Sequence, residues 1–177
     1  LSGCGLEKTP DYVLFSGTIQ NPRGEKAFVS GSDFSHELQV KEDGTFSDTL
    51  RVTQGYYSFS HAEMTTIFLT PGDSLHLDMD TAQYDESLVY SGTGAVANNY
   101  LAKKYLEKEK LTGDYKALYL LDEAAYVKKN QDIKEACTLL LENLKATDPE
   151  FVEIETKNLN YEYLGMLQYY ESSHAYY

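Results

Sequence analysis

Tryptophan is absent from this 177-residue chain, cysteine occurs only twice and proline only four times. The two cysteines, Cys4 and Cys137, are too few for a disulfide framework and lack the spacing of metal ligands. No stretch approaches the apolar run of about 20 residues that a membrane helix needs. Within these residues, the scarcity of cysteine excludes a disulfide-rich scaffold and a zinc module, and the lack of a long apolar run means that we expect no membrane-spanning helix.

Positive charge is also scarce. The chain has 15 Lys and Arg against 28 Asp and Glu, which gives a formal net charge of −13. An acidic surface repels phosphate backbones, so we predict no nucleic-acid partner. Hydrophobic residues make up 42% of the chain, a globular composition, and the 16 tyrosines suit half-buried surfaces.

Motifs of self-contained catalysis are missing as well. There is no Gly-x-Ser-x-Gly elbow and no phosphate-cradling glycine loop. The four histidines are scattered, with no pair at metal-binding spacing: His36, His61, His76 and His174. We expect no catalytic residue, no cofactor and no metal in residues 1–177 alone, and whether a longer parent protein is an enzyme stays open.

The first four residues, Leu1-Ser2-Gly3-Cys4, match the bacterial lipobox, in which an aliphatic residue and two small residues precede the lipid-modified cysteine. The chain does not begin with Met, so we expect a leader before it. The motif predicts a lipid anchor at Cys4, followed by a tether to residue 10. The protein would then lie in the cell envelope, on the periplasmic side of either membrane or at the cell surface. The alternative is a plain tail with a spare cysteine.

Residues 11–92 show the pattern of short strands separated by turns. Glu42-Asp43-Gly44 is a strong hairpin signal, and Thr70-Pro71-Gly72-Asp73 predicts a second turn. Residues 74–80 alternate apolar and polar side chains, which predicts a half-buried antiparallel strand. Several such strands indicate an antiparallel β-sandwich or open barrel.

Residues 93–177 change to a helical period and predict a segment of about four helices, so the fold class is α+β. Tyr115 to Tyr126 fit one helical face, and Ile133 to Leu144 form an amphipathic stripe. Asp148 and Pro149 have the residue types of an N-cap and a first helical position. The last helix is apolar on two sides, which predicts deep burial.

The order of these parts resembles the N-terminal region of Bacteroidetes lipoproteins of the TlpA/ResA-like thiol-disulfide oxidoreductase group, in which a β-rich domain of unknown function precedes a helical segment and a thioredoxin-like domain. Two segments carry most of the resemblance. They are Phe68-Leu69-Thr70-Pro71-Gly72-Asp73-Ser74-Leu75 and Tyr90-Ser91-Gly92-Thr93-Gly94-Ala95-Val96-Ala97-Asn98-Asn99-Tyr100-Leu101. Shorter matches are Phe15-Ser16-Gly17, Asp43-Gly44-Thr45-Phe46 and Gly55-Tyr56-Tyr57.

The chain departs from that group where its chemistry is concentrated. The oxidoreductases use a Cys-x-x-Cys pair, and neither Cys4 nor Cys137 has a second cysteine at that spacing. The resemblance therefore implies an accessory or recognition region, with redox chemistry expected only in a domain beyond Tyr177. Positioning, homodimerisation and recognition of a protein or peptide all fit such a role. The alternative is a stand-alone envelope lipoprotein that binds a peptide or a glycan.

Three sets of residues have chemistry of their own. Cys137 lies in an apolar helical stripe, so we interpret it as a buried packing residue. Asp73, Asp78 and Asp80, with His76 nearby, could bind Ca²⁺ or another hard cation, but a flat strand face supplies too few ligands and a solvated surface is the better interpretation. The paired tyrosines could bind a sugar or a peptide by stacking, although half-buried packing is the commoner role of such residues: Tyr56-Tyr57, Tyr169-Tyr170 and Tyr176-Tyr177.

Overall fold

The computed structural model describes residues 10–177, and Cys4 lies outside them. Within this range there are eight strands and five helices. The strands are β1 (Val13–Gln20), β2 (Lys26–Gly31), β3 (Phe34–Gln39), β4 (Thr45–Leu50), β5 (Gly55–His61), β6 (Glu63–Leu69), β7 (Ser74–Asp80) and β8 (Val89–Gly92). The helices are α1 (Tyr84–Ser87), α2 (Ala95–Thr112), α3 (Tyr115–Tyr119), α4 (Glu123–Glu142) and α5 (Pro149–Tyr176). The predicted α+β class is confirmed.

The chain divides into two compact units, residues 1–102 and 103–177, so the division falls within α2. The first unit contains two four-stranded sheets. One has the order β4-β1-β7-β8 and the other β3-β2-β5-β6. Their inward-facing side chains form a single apolar core, which makes the first unit a β-sandwich.

Three phenylalanines join the two sheets at the centre of this core. Phe15 and Phe46 belong to the first sheet and Phe59 to the second. The Phe15 ring centroid lies 5.2 Å from Phe46 and 5.7 Å from Phe59, with the ring edges meeting the ring faces. Edge-to-face contacts of this kind add to the stabilisation from burying the rings.

The alternating strand at residues 74–80 lies where its pattern predicts, but its pairing differs from the prediction. Leu75, Leu77 and Met79 are buried and the alternate residues face solvent. β7 pairs antiparallel with β8 but parallel with β1. The alternation of side chains indicates which face of a strand is buried. Parallel and antiparallel pairing give the same alternation, so the sequence could not distinguish the two.

The predicted turn at Gly44 is present, but it does not close a hairpin, because β3 and β4 belong to different sheets and do not pair with each other. Gly44 has a φ of 81°, and a Cβ there would lie 2.1 Å from the carbonyl oxygen of Ile19. Both the backbone conformation and the close approach therefore require glycine. The turn connects β3 to β4, the outermost strands of the two sheets, and the ring of His36 hydrogen-bonds the Asp48 carboxylate between them at 2.8 Å.

On the opposite side of the sandwich, two asparagines of α2 bind the outermost strands. The Asn98 side chain accepts a hydrogen bond from the Phe68 N–H (2.9 Å) and donates one to the Phe68 carbonyl (2.8 Å). Asn99 makes the same pair of bonds with Tyr90, at 2.9 and 2.8 Å. Since β6 and β8 are edge strands, each amide takes the place of one residue of a missing neighbouring strand.

The helical unit departs from the sequence prediction in two places. The face predicted from Tyr115 to Tyr126 is divided between α3 and α4, because Asp122 caps a new helix by accepting a hydrogen bond from the Ala125 N–H. The predicted start of α5 at Asp148 and Pro149 is confirmed. Deep burial is wrong for most of α5: its buried side chains all precede residue 160, and the second half exposes one side to solvent.

We predict that each asparagine protects its own strand. Replacing Asn98 with Ala removes the two hydrogen bonds that its side chain makes with the buried Phe68 N–H and carbonyl, at a cost of about 1–3 kcal/mol for each buried group. Hydrogen exchange should therefore quicken strongly at the Phe68 amide. Asn99→Ala should act in the same way at Tyr90.

The two variants are matched controls for each other, and exposed Asn160→Ala on α5 provides a third. Exchange that quickens equally at Phe68 and Tyr90 in both asparagine variants would contradict the assignment, because it would indicate general unfolding.

Candidate functional site

The residues considered for a cation site on β7 do not converge on one point. Asp80 accepts a hydrogen bond from the Asn21 side chain at 2.8 Å, which lowers the pKa of Asp80. His76 bonds the Ser16 hydroxyl through Nδ1 (2.9 Å) and Asp78 through Nε2 (3.3 Å). In residues 10–177 no group of three or more His, Cys, Asp or Glu is placed to hold a metal ion.

The Ser16–His76–Asp78 chain has the residue types of a nucleophile, a base and an orienting acid. Sequence reasoning missed Ser16 because it lies 60 positions from His76 and meets it only through the parallel pairing of β1 with β7. Acyl transfer also needs free backbone N–H groups to stabilise an oxyanion. Both β1 and β7 are inner strands of their sheet, so their backbone N–H groups are used in hydrogen bonds to the neighbouring strands. The Ser16–His76–Asp78 hydrogen bonds are therefore best explained as polar packing on a solvated face.

Cys137 on α4 is buried, with 1% of its surface exposed, as its apolar stripe predicts. Burial raises the pKa of its thiol, although Lys108 and Lys104 oppose that change. A reactive cysteine needs exposure and a lowered pKa. The structure therefore supports the packing role.

The helical unit contains a buried charge network that the sequence did not indicate. The Lys104 ammonium lies 2.7 Å from Glu155 and 2.8 Å from Glu162, and Lys108 lies 2.6 Å from the second oxygen of Glu162. Asn158 donates to both carboxylates, at 3.1 and 2.9 Å. The network joins α2 to α5 inside the second unit, and each buried charge has an opposite charge beside it, as burial requires.

The pKa directions follow from these pairings. Burial by itself would raise the pKa of Glu162, but Lys104 and Lys108 leave it below its usual range. Burial would lower the pKa of Lys104, but Glu155 and Glu162 raise it overall. The network therefore stabilises the fold at neutral pH. Its contribution falls when the pH drops through the lowered pKa of Glu162, or rises through the raised pKa of Lys104.

The predicted tyrosine surface is spread over different environments. Tyr56 and Tyr57 are neighbours on β5, so their side chains point to opposite faces of the sheet. Tyr56 packs on Phe68, and the Tyr57 hydroxyl donates to the Thr53 carbonyl at 2.9 Å. Both are half-buried and used in packing.

In the helical unit, Tyr169 and Tyr170 also differ from each other. Tyr170 stacks on buried Tyr126 at 4.6 Å between centroids, and its hydroxyl donates to the Leu121 carbonyl. Burial raises the pKa of Tyr126 to about 12, so the Tyr126 hydroxyl stays protonated at neutral pH. Tyr169, by contrast, is 64% exposed. Adjacent residues of a helix point about 100° apart, so Tyr169 faces solvent while Tyr170 packs inside the helical unit.

A surface groove of about 450 Å³ runs between α4 and α5. Its lining combines charged, polar and apolar side chains: Gln131, Lys134, Glu135, Thr138, Leu139, Glu142 and Tyr163. The Lys134 ammonium lies 5.0 Å from the centre of the Tyr163 ring, within cation–π range. One face of the Tyr163 ring is thus covered by a side chain of the same unit.

Comparison with known proteins adds no assignment: no family model, curated protein or solved structure matches the chain. Among the described residues, no helix is long and apolar enough to cross a membrane. Of the predicted binding tyrosines Tyr56, Tyr57, Tyr169 and Tyr170, Tyr169 is the one left largely exposed. Together with Tyr161 and Tyr176 of α5, which are 72% and 83% exposed, it forms the candidate recognition surface.

We predict that Lys104→Met destabilises the helical unit by about 3–5 kcal/mol at pH 7, because it removes the ammonium group that pairs with buried Glu155 and with Glu162. The loss should be smaller at about pH 3, because protonation of Glu162 below its lowered pKa weakens the same network in the unsubstituted chain. Urea unfolding monitored by the helical circular dichroism signal measures both values. Lys157→Met is the matched control, since the exposed pair of Lys157 with Glu153 contributes little. An equal loss at both pH values would contradict the network's role.

We predict slow thiol chemistry at Cys137. In a Cys4→Ser chain, a disulfide reagent such as dithionitrobenzoate should release colour only at the rate of unfolding, because the thiol is buried and its pKa is raised. Addition of urea should make the reaction fast. Rapid labelling of the native protein would contradict the packing role.

Proposed function

We propose that the chain is a lipid-anchored accessory and recognition region of a cell-envelope thiol-disulfide oxidoreductase, with the redox chemistry in a following domain. The proposal depends on the lipobox at Cys4 and on the two segments that resemble the N-terminal regions of such proteins. Residues 1–177 would hold and orient the parent enzyme at the membrane and contact its partner.

The observation that best supports the proposal is that the two resembling segments pack against each other. Asn98, from the second segment, binds Phe68 of the first. The Thr93 hydroxyl accepts a hydrogen bond from the Ser74 N–H at 2.6 Å, and a Cβ on Gly94 would lie 2.6 Å from the Asp73 carboxylate. Residues that define the resemblance thus form one structural junction, as expected if they were selected together for a fold.

A second candidate function, a stand-alone lipoprotein that binds a peptide or glycan, is supported by the exposed aromatic rings of the helical unit. The rings of Tyr115 and Tyr177 each stack near the Tyr119 ring, at 6.5 and 6.2 Å, and both are more than half exposed. Stacked tyrosine faces suit sugar rings and peptide side chains.

Reading the gene beyond the codon for Tyr177 separates the two functions. The first requires a thioredoxin-like domain with Cys-x-x-Cys, and a stop codon there would overturn it. Purified residues 1–177 should not catalyse insulin reduction, whereas the full gene product should. Activity in the shorter chain would show that the chemistry had been placed in the wrong domain.

The anchor is tested separately. In the native host, we predict that the protein fractionates with membranes and that mass spectrometry finds a lipid-modified N-terminal Cys4. Cys4→Ala should release it, since stable membrane attachment needs the acyl chains. Cys137→Ala, the control, should leave fractionation unchanged. An unmodified Cys4 in the soluble fraction would exclude the anchor.

A further inference from the structure

Four large side chains of α5, from residue 161 onwards, face solvent. The exposed fractions are 72% for Tyr161, 58% for Leu164, 64% for Tyr169 and 83% for Tyr176. At 3.6 residues per turn, they share an arc of about 140° with four smaller or polar residues. We call this set the outer stripe: Tyr161, Leu164, Gly165, Gln168, Tyr169, Ser172, Ala175 and Tyr176.

The outer stripe contains no charged residue, in a chain whose formal net charge is −13. Two copies of so acidic a protein repel each other through most of their surface. At an uncharged, tyrosine-rich stripe this repulsion is weakest, and burial of the apolar ring surfaces stabilises the contact most. It suits a second copy of this chain better than a charged ligand.

Six of the eight stripe positions are arranged symmetrically. With Leu164 and Ala175 left out, the spacings are 4, 3, 1, 3 and 4 residues: 161, 165, 168, 169, 172 and 176. Residue size follows the same symmetry, because tyrosines lie at both ends and the small residues Gly165 and Ser172 lie next to them. A self-complementary row is what a two-fold interface between identical helices requires.

In an antiparallel pair centred between Gln168 and Tyr169, Tyr161 faces Tyr176 of the second copy and Gly165 faces Ser172. Small residues opposite each other let two helices approach closely. A Cβ on Gly165 would meet nothing within 4 Å, so the space outside this helix position is open.

The stripe is large enough for a weak, specific dimer. A tyrosine contributes about 150–250 Å² when buried. Weighted by their exposure, the three tyrosines and Leu164 offer roughly 500–600 Å² per copy. Two copies would bury about 1,000–1,200 Å², near the lower limit for specific interfaces.

We propose that the outer stripe of α5 joins two copies of this protein as an antiparallel, two-fold symmetric helix pair. The inference stands apart from the proposed function, since it depends only on α5. Because like-charged copies must approach each other, added salt should strengthen the association by screening their repulsion.

Sedimentation equilibrium of the 177-residue chain under reducing conditions tests the proposal. We expect a monomer–dimer equilibrium with a micromolar dissociation constant that decreases between 50 and 500 mM salt, roughly the range over which screening becomes strong. Tyr169→Glu should weaken it at least tenfold. Tyr115→Glu, at an exposed tyrosine outside α5, is the matched control and should change it little.

Gly165→Glu adds a variant that cannot be explained by misfolding. Glu favours a helix more than Gly does by roughly 0.5–1 kcal/mol, so the monomer should keep or gain helical stability while the dimer is lost. A wild-type chain that stays monomeric at several hundred micromolar, or a dimer unaffected by both stripe variants, would overturn the proposal.

Cross-linking tests the antiparallel geometry. In a Cys4→Ser background, Gly165→Cys mixed with Ser172→Cys should give a disulfide-linked dimer on mild oxidation. Either variant alone should not, because equal positions would be about 10 Å apart along the axis, beyond disulfide reach. Efficient linkage of either single variant would indicate a parallel pair and overturn the antiparallel model.

Discussion

The hydrogen bonds of Asn98 and Asn99 satisfy one residue on an edge strand of each sheet from a single helical turn. Edge strands present unpaired N–H and carbonyl groups, which invite pairing with other chains. Here one amide pairs with Phe68 on β6 and the next with Tyr90 on β8. Adjacent residues of a helix diverge by about 100°, so two consecutive asparagines can reach two different strands. The start of α2 thereby belongs to the sandwich, and the division into units falls later, at residues 102 and 103.

In the helical unit, the buried polar groups are charged, and each is paired with a group of opposite charge. Lys104 and Glu155 are almost fully buried, and each has the other as its partner, with Glu162, Lys108 and Asn158 completing the network. Buried ion pairs contribute little net stability compared with apolar packing, but breaking one leaves an expensive isolated charge. The network thus fixes which side of α5 faces inward. The uncharged outer stripe is the consequence, since it is the side left facing solvent.

Local chemistry made much of the fold predictable. Gly44 in its turn, Asp148 before Pro149, the alternation of β7 and the burial of Cys137 each depend on a few neighbouring residues. Ser16–His76, Asn98–Phe68 and Lys104–Glu155 could not be predicted, because they join residues 60, 30 and 51 positions apart. Their residue types fit many surface roles, and only pairing and packing select one.

The tyrosines show the same division between sequence and structure. The sequence by itself determined the α+β class, the abundance of half-buried aromatic rings and the lack of a Cys-x-x-Cys pair, because composition, period and spacing are properties of the chain. The tertiary structure decided that Tyr170 packs on Tyr126 while Tyr169 faces solvent. The physical reason is that a helical period fixes only which residues share a side. Which side is buried depends on α4 and on the charge network, and these contacts form only when distant parts of the chain meet.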